Sequence, residues 1–442
     1  MNLNIPKSGK ELQTQLSNAF FGQTSIDMRV CVVLTLVMYF GTILIGNYTP
    51  YNLFWYTLGV PITPTRFTDL RDVLVAMECT QRGFDFLVDA PCLPTAVMSP
   101  NYPRLWMTLA PLGFGGRDTE WLGEVLSILF FLCVLWIAGK LNFGGAVVYS
   151  LVVASPSVML AIERNNVDVI LFILLCIALG LLLYLPNSIG RAISYGIIFL
   201  TALLKLFPIF ASTVLLRERK KIALGGVITM AIVFAVYAVS IFSDLQKIDA
   251  RVLRFQGLAY GRIIVPELLT NSELFRRLFG FALSPSLATW LSILVMVGLM
   301  LLVYIVAART HIGFAEGDAF TFQLDSFRVG AAIYIGTFAL GNSTDYRLIF
   351  TLFVLPQLMA WTKLDSHWRL GSILGLVGLI STIYLCLWSL TEDAILVAPK
   401  YFIPDEIINW GLLAYFTYLL FVTLPTWAKQ IVFPPFVAKS AV

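Results

Sequence analysis

Histidine is nearly absent from this chain of 442 residues, which has only two, and charged residues make up 13% of it, against roughly a quarter in a soluble domain. A globular core cannot absorb the apolar remainder, so a soluble enzyme is excluded. Both histidines, His311 and His367, fall in loops assigned below to the cytoplasmic side. With none on the other face, neither Ser-His-Asp nor Cys-His catalysis can be assembled there. No zinc or iron ligand spacing and no Gly-Lys-Ser/Thr phosphate loop occurs, so no metal, no cofactor and no nucleotide hydrolysis are expected. The net charge of +4 is spread too thinly to imply a nucleic-acid partner. Of six cysteines, Cys31, Cys133, Cys176 and Cys386 lie in apolar runs and read as small fillers. Cys79 and Cys92 share one polar stretch, where a disulfide can form.

What fills the chain is apolar: 58% hydrophobic residues and a mean hydropathy of +0.83, with 33 Phe, 17 Tyr and 10 Trp suited to lipid interfaces. A spanning helix takes about 20 residues, so an all-α polytopic membrane protein of about 11–12 transmembrane helices is expected, some short or broken. The chain reads as a single integral membrane domain over 1–442. Apolar runs lie near 28–46, 120–139, 143–162, 167–185, 191–206, 222–242, 286–308, 328–340, 348–361, 370–389 and 408–427. The polar start, Met1 to Asp27, lacks the order of a cleaved signal peptide, so the first run is expected to stay. Two polar stretches are long: 47–119, expected to hold amphipathic helices, and 243–285.

Lys and Arg in short loops set orientation. The cluster Arg217, Arg219, Lys220 and Lys221 belongs in the cytoplasm, with Lys140, Arg191, Lys363, Arg369 and Lys429 on the same side. With the N-terminus inside, four spans return the chain to the cytoplasm near Pro186–Arg191, and one more crossing would strand that cluster outside. The conflict disappears if 191–216 is two short helices broken at Lys205 and Pro208, a cavity-lining hairpin. The plainer alternative is a proline kink with a snorkelling lysine. With the hairpin, both termini are cytoplasmic, and both long loops face outward together with Glu163–Asp168, Gly341–Arg347 and Thr391–Asn409. Outer loops should be poor in cations, yet these carry Arg164, Arg347 and Lys400.

The first long loop contains Phe67, Leu70, Leu74 and Met77 at helical spacing, with Asp69 and Asp72 three apart on the other side and Thr68 placed as N-cap. Such a helix lying on the outer interface presents carboxylates to the membrane surface; a merely solvated polar face is the alternative. Glu163-Arg164-Asn165-Asn166-Val167-Asp168 is denser in polar groups than a turn requires, although Asn and Asp caps would also account for it. Gly341-Asn342-Ser343-Thr344-Asp345-Tyr346-Arg347 repeats the style between two runs too short to span, so this hairpin too should bend into a cavity. Arg164, Lys205 and Arg347 are thus three cations near the outer leaflet, where a phosphate is the natural partner.

Taken in order, these pieces resemble the type C glycosyltransferases, most nearly glycosyltransferase family 87, the polyprenyl-phosphate mannosyltransferase-like integral membrane proteins. Asp69-Leu70 with Gln81-Arg82-Gly83-Phe84-Asp85 looks like the family's acidic first-loop helix and its Gly-aromatic/Asp turn. Asn101-Tyr102-Pro103 is similar to its Tyr-Pro segment, Arg164–Asp168 to its polar turn, and Leu204-Lys205-Leu206-Phe207-Pro208 to its Lys-aromatic-Pro break. Asn342–Arg347 resembles the late segment carrying an aromatic or basic pair. The chain departs from the pattern at Asn165, where Gly or Gln is usual, and at Arg104, where a second Pro is common.

The resemblance implies inverting transfer of a mannose-like hexose from a polyprenyl-phosphate donor to a lipid or glycan acceptor, without a metal. Asp69 would be the base with Asp72 its rival. Lys205, Arg164 and Arg347 would hold the donor phosphate, and Tyr102, Asn165, Asn166, Asp168, Asp345 and Tyr346 the substrates. A bacterial plasma membrane with the site facing the periplasm or exterior is expected. Two other classes share features: secondary transporters, although no second Lys-Phe-Pro element marks an internal repeat, and lipid-linked oligosaccharide ligases or polymerases, although the expected outer histidine is missing.

Overall fold

Asparagine, serine and proline punctuate the apolar runs, and the helices begin where these residues stand. Asn142, Asn166 and Asn187 each accept a hydrogen bond from a backbone N–H of the helix that follows, and Ser155 and Ser284 do the same ahead of a proline in the first turn. The computed structural model describes residues 27–46, 55, 60, 65–88, 91–92, 102–250, 259–271, 280, 284–310, 322–364, 366–385 and 394–433. The polar N-terminus before residue 27, Asn101, His311 and Cys386 lie outside them.

The helices are α1 (Arg29–Gly46), α2 (Thr68–Gln81), α3 (Thr119–Ala138), α4 (Phe143–Val153), α5 (Pro156–Arg164), α6 (Val167–Tyr184) and α7 (Ser188–Leu204) in the first half. Then follow α8 (Lys220–Ser240), α9 (Phe242–Asp249), α10 (Ile264–Asn271), α11 (Pro285–Arg309), α12 (Phe322–Leu340), α13 (Leu355–Trp361), α14 (Ser366–Leu385), α15 (Ala394–Val422) and α16 (Thr426–Val432). Three 3-10 segments, Arg104–Leu112, Phe207–Arg217 and Asp345–Phe353, are each nine residues or longer. The protein is an all-α polytopic membrane protein. Among the described residues five helices are long and apolar enough to cross a bilayer, or seven if each of two bent pairs is one span. That is fewer than the apolar runs promised, because several runs are bent, short or 3-10. The run 143–162 is α4 and α5, which meet at 49°, and the last run includes a bend of 115° between α15 and α16.

The break at Lys205 is present. Lys205 is extended (φ −159°, ψ 112°), and Pro208 stands in the first turn of the 3-10 segment that follows. The two arms return to a common end, because Arg191 and Tyr195, near the start of α7, both donate to the carboxylate of Glu218, just past the second arm, at 3.1 and 2.6 Å. At 1.5 Å per residue α7 rises about 25 Å, and the 3-10 arm, at 2.0 Å per residue, about 22 Å. The hairpin is therefore nearly as deep as a bilayer's hydrocarbon, with Lys205 at its tip and Arg191 and Arg217 together at its base.

Two expectations are corrected. The run 328–340 was too short to span, but α12 starts at Phe322 and has 19 residues. Its first turns were hidden by Asp325 and Arg328, which are both 1% exposed and neutralise one another inside the bundle. Residues 394–409, read as an outer loop, belong to α15. A two-residue strand β1 (Ala259–Tyr260) also pairs antiparallel with β2 (Ser343–Thr344), a small exception to the all-helical reading.

The base of the hairpin is held by charge. Arg217 donates to Asp325 at 2.6 Å, and Arg328 donates to Asp325 at 3.4 Å and to the carbonyl of Thr423 at 3.1 Å. Removing the shared carboxylate leaves the buried guanidinium of Arg328 and the partly buried one of Arg217 without their counter-charge, so Asp325→Ala should cost about 3–5 kcal/mol. Thermal unfolding in detergent measures it, and a chain as stable as the parent would show that this network does not hold the bundle.

Candidate functional site

At the end of the bundle opposite Arg217, four chain segments meet. α2 brings Asp69 and Asp72, the turn between α5 and α6 brings Arg164, Asn166 and Asp168, the hairpin tip brings Lys205, and the segment after β2 brings Tyr346 and Arg347. The turn is the hub. Asn166 donates through Nδ2 to Asp69 Oδ2 at 2.5 Å and to the Tyr102 hydroxyl at 3.3 Å. Its Oδ1 accepts from Lys205 Nζ at 3.1 Å and from the Asp168 backbone N–H at 3.1 Å. Lys205 Nζ lies 2.8 Å from Asp168 Oδ1, while Arg347 Nε lies 3.8 Å from Asp168 Oδ2 and its Nη1 donates to Ser343 at 3.0 Å. Arg164 is 3.8 Å from Asp69 and 3.4 Å from Glu163.

The acids form the floor and the cations the opening: the side chains of Asp168 and Glu163 are 0% exposed, those of Arg164, Lys205 and Arg347 15%, 14% and 21%. Rings wall the lysine. Its Nζ is 5.6 Å from the centre of Tyr102, 5.8 Å from Phe207 and 5.5 Å from Tyr346, and the Arg347 guanidinium lies 5.2 Å from Phe207. The indole of Trp106 donates to the Leu204 carbonyl at 3.0 Å, which fastens the first loop to the hairpin tip.

Both long loops brace this arrangement. Arg104 grips Asp85 with two bonds of 2.8 Å and Asp244 with one of 2.7 Å, linking the first loop to α9. The guanidinium holds the Asp85 carboxyl below the usual carboxylate range. The residue that breaks the expected Tyr-Pro-Pro pattern is thus the clamp between the loops. In the second loop Tyr260 pairs with Ser343, the residue that holds Arg347, and stacks on Tyr334 at 5.4 Å. Gly261 is required there: its φ is +137°, and a Cβ would lie 1.8 Å from the Gly341 carbonyl oxygen. Cys79, on α2 beyond Asp72, is joined to Cys92 by a disulfide.

Several placements differ from the sequence reading. α2 does not lie on a surface with its carboxylates outward: Asp69 and Asp72 are 8% and 5% exposed, because the Arg104–Leu112 segment, α3 and α5 enclose the helix. Phe67 rather than Thr68 is the N-cap, and the Thr68 hydroxyl donates back to the Thr65 carbonyl at 2.6 Å. Asn165 does not join the cluster; its amide is bonded to the Gly123 carbonyl and the Ser127 hydroxyl at 2.8 and 3.1 Å. Asp345 is buried within electrostatic reach of Asp405 on α15. The buried group around it was missed: Thr382 donates to Asp405 at 2.7 Å and to Asn409 at 2.9 Å, and Tyr334 donates to Asn409 at 2.8 Å. The four-residue spacing of Asp405 and Asn409, one face of a helix, was the available signal.

The carboxylates differ in their proton affinity. Burial pushes Asp69 up, opposed by the charge of Arg164, the hydrogen bond from Asn166 and the charge of Lys205. Burial and then the neighbouring Asp69 push Asp72 to about 8. Asp72 therefore keeps its proton at neutral pH although Arg71 and Arg164 oppose the rise, and Asp69, next to Arg164 and Lys205, is raised as well. The cluster offers a carboxylate held by an amide next to cations at an opening, a combination able to take a proton and neutralise an anion at neighbouring points. Family models, curated proteins and solved structures were all compared with the chain, and none matches it.

A carboxyl whose folded pKa is raised binds its proton more tightly in the native state. Its stabilisation is full below the ordinary carboxylate range and is lost as pH rises to about 8. The unfolding temperature should fall across that window, and Asp72→Asn should flatten the fall. A variant with the parent's pH slope would remove Asp72 as its source.

Proposed function

We propose that the protein is an inverting glycosyltransferase that moves a mannose-like hexose from a polyprenyl-phosphate donor to a hydroxyl of a lipid or glycan acceptor. The observation that carries this reading is the juxtaposition of Asp69, fixed by Asn166, with Lys205, Arg347 and Arg164 at the opening of one buried cluster.

In the reaction the acceptor oxygen attacks the anomeric carbon while Asp69 takes its proton. The bond between that carbon and the phosphate oxygen breaks, and its electron pair leaves with the lipid phosphate. The donor is a phosphodiester with one negative charge and the departing monoester has one more, so the step needs cations on the phosphate and no acid. Lys205 and Arg347, with Arg164 beside them, supply that stabilisation in a site screened from water. Base catalysis of this kind contributes about 10²- to 10⁴-fold. Of the two carboxylates Asp69 is the base, because it is the one held by the Asn166 amide beside Lys205 and Arg164. Tyr102 and Tyr346 offer ring faces to the sugar or the first isoprene units. The disulfide on α2 supports a site in an oxidising compartment, outside the plasma membrane of a bacterium.

Thin-layer analysis of lipids from membranes given radiolabelled polyprenyl-phosphate hexoses, with and without the protein, tests the reading. Label should move to a second species only with the protein, and transport of a solute without any transfer would replace this reading with a carrier. Asp69→Asn should remove transfer while the chain still folds; retained turnover would dismiss Asp69 as the base. Lys205→Ala should raise the donor KM about ten- to a hundredfold, the range for a hydrogen bond to a charged group. An unchanged KM would take the phosphate away from Lys205.

A further inference from the structure

Among the described residues, two that are not glycine have a left-handed backbone: Phe67 (φ 54°) and Asn165 (φ 43°). Each stands directly before a segment that carries the cluster. Phe67 is the N-cap of α2, two residues before Asp69, and Asn165 ends α5 directly before Asn166. The conformation is costly for Phe67 and persists only where the surroundings enforce it, whereas at Asn165 it is a left-handed helix end of the kind asparagine tolerates. The two are tied together, since the Phe67 N–H donates to the Glu163 carbonyl at 3.0 Å.

Both also rest on one residue of α3. The Asn165 amide donates to the Gly123 carbonyl at 2.8 Å, and Ser127, one turn on, donates to the same oxygen at 2.7 Å. The Phe67 ring lies over the Gly123 Cα so closely that a Cβ there would be 2.3 Å from Cδ2 and 2.7 Å from Cγ. Those atoms are at the root of the ring, so the clash is not relieved by bending the end of a flexible chain. Gly123 sits within a spanning helix, where glycine has no conformational reason to be. The absence of its side chain leaves the space that the Phe67 ring occupies.

We infer that Gly123 is a positioning residue that sets the contact between Asp69 and Asn166. It seats the Phe67 ring on one side and holds the Asn165 amide on the other, so that both left-handed turns are fixed against a single point of α3. Phe67 then aims the first turn of α2, and Asn165 aims the turn that begins α6. The 2.5 Å bond from Asn166 to Asp69 is where the two aims meet. A side chain at 123 would displace Phe67, and with it Asp69, away from an amide that is itself fixed.

The inference rests on the glycosyl-transfer reading for its rate measurement but not for its structural one, and the test has an arm for each. In Gly123→Ala, hydrogen–deuterium exchange should quicken in 66–72 and 163–168 while the hairpin base at 214–218 keeps its protection. The transfer kcat should fall about 10²-fold, the scale for a 1 Å misplacement, with little change in donor KM. The double variant Gly123→Ala with Phe67→Gly removes the ring that the new methyl strikes and keeps a residue at ease at φ 54°; it should regain most of the exchange protection and rate lost in Gly123→Ala. Unchanged exchange in Gly123→Ala, or a double variant no better than the single, overturns the positioning role. Exchange results as expected in a protein whose parent form transfers no sugar would sustain the positioning role and refute the transferase reading.

Discussion

A single buried amide holds the site together. A primary amide has two donor hydrogens and two acceptor lone pairs, and Asn166 uses all four: Asp69 and Tyr102 take the hydrogens, Lys205 and the first turn of α6 the lone pairs. No charged side chain could do this, because a carboxylate has nothing to donate and an ammonium nothing to accept. The amide joins the Asp69 carboxyl to the Lys205 amine through its own two ends, donating to the one at 2.5 Å and accepting from the other at 3.1 Å. Three of the partners, Asp69, Tyr102 and Lys205, come from distant stretches of chain, which is why the rest of the fold matters to them.

The hairpin from Ser188 to Arg217 solves the problem of bringing a lysine to that amide through a membrane-deep body. An unbroken helix would carry the chain after Lys205 past the site and put Arg217 at the wrong end. The reversal at Lys205 leaves backbone groups without helical partners, and these are taken up by protein: the Trp106 indole covers the Leu204 carbonyl, and Tyr237 of α8 donates to the Leu203 carbonyl at 2.9 Å. At the other end the charges of Arg191, Arg217 and Arg328 are met by Glu218 and Asp325. At each end of the hairpin, charged groups thus lie beside groups of opposite sign.

The break at Lys205 was legible because it rests on two strong local facts, a proline and a count of positive charges, that no packing can reverse. The meeting of Asp69, Asn166, Lys205 and Arg347 was legible only as a set of separately suspicious residues, since sequence spacing contains no distances. What was misread has a common cause: in a membrane protein a polar residue looks like a boundary. Asp325 and Arg328 hid the start of α12, and Asp405 with Glu406 made part of α15 look like a loop, although each is buried inside the protein rather than exposed to lipid or water. Asn165 entered the substrate set with the turn that resembles the family's, whereas its amide is bonded to the Gly123 carbonyl and the Ser127 hydroxyl. Thr68 was a sound capping residue by type, but the Glu163 carbonyl had already captured the backbone of Phe67.

Asp168 bears on the kind of donor the proposed reaction would use. Lys205 and Arg347 lie close enough to repel one another, and Asp168, fully buried between them at 2.8 and 3.8 Å, relieves that repulsion when no ligand is present. Because it is enclosed on all sides, it cannot withdraw when a phosphate arrives; the newcomer shares the two cations with it. Two positive charges against one fixed negative charge leave a single positive charge to be met. A sugar phosphodiester carries one negative charge and meets it, whereas a diphosphate would bring an excess into a poorly solvated pocket. The further charge that appears as the sugar departs must then be met by the next cation along the wall. Arg164 is that cation, and once Asp69 takes up the acceptor's proton, one of the two carboxylates that engage Arg164 is neutral while Glu163 still holds it in place. The proton transfer would thus free part of the charge that the leaving phosphate requires.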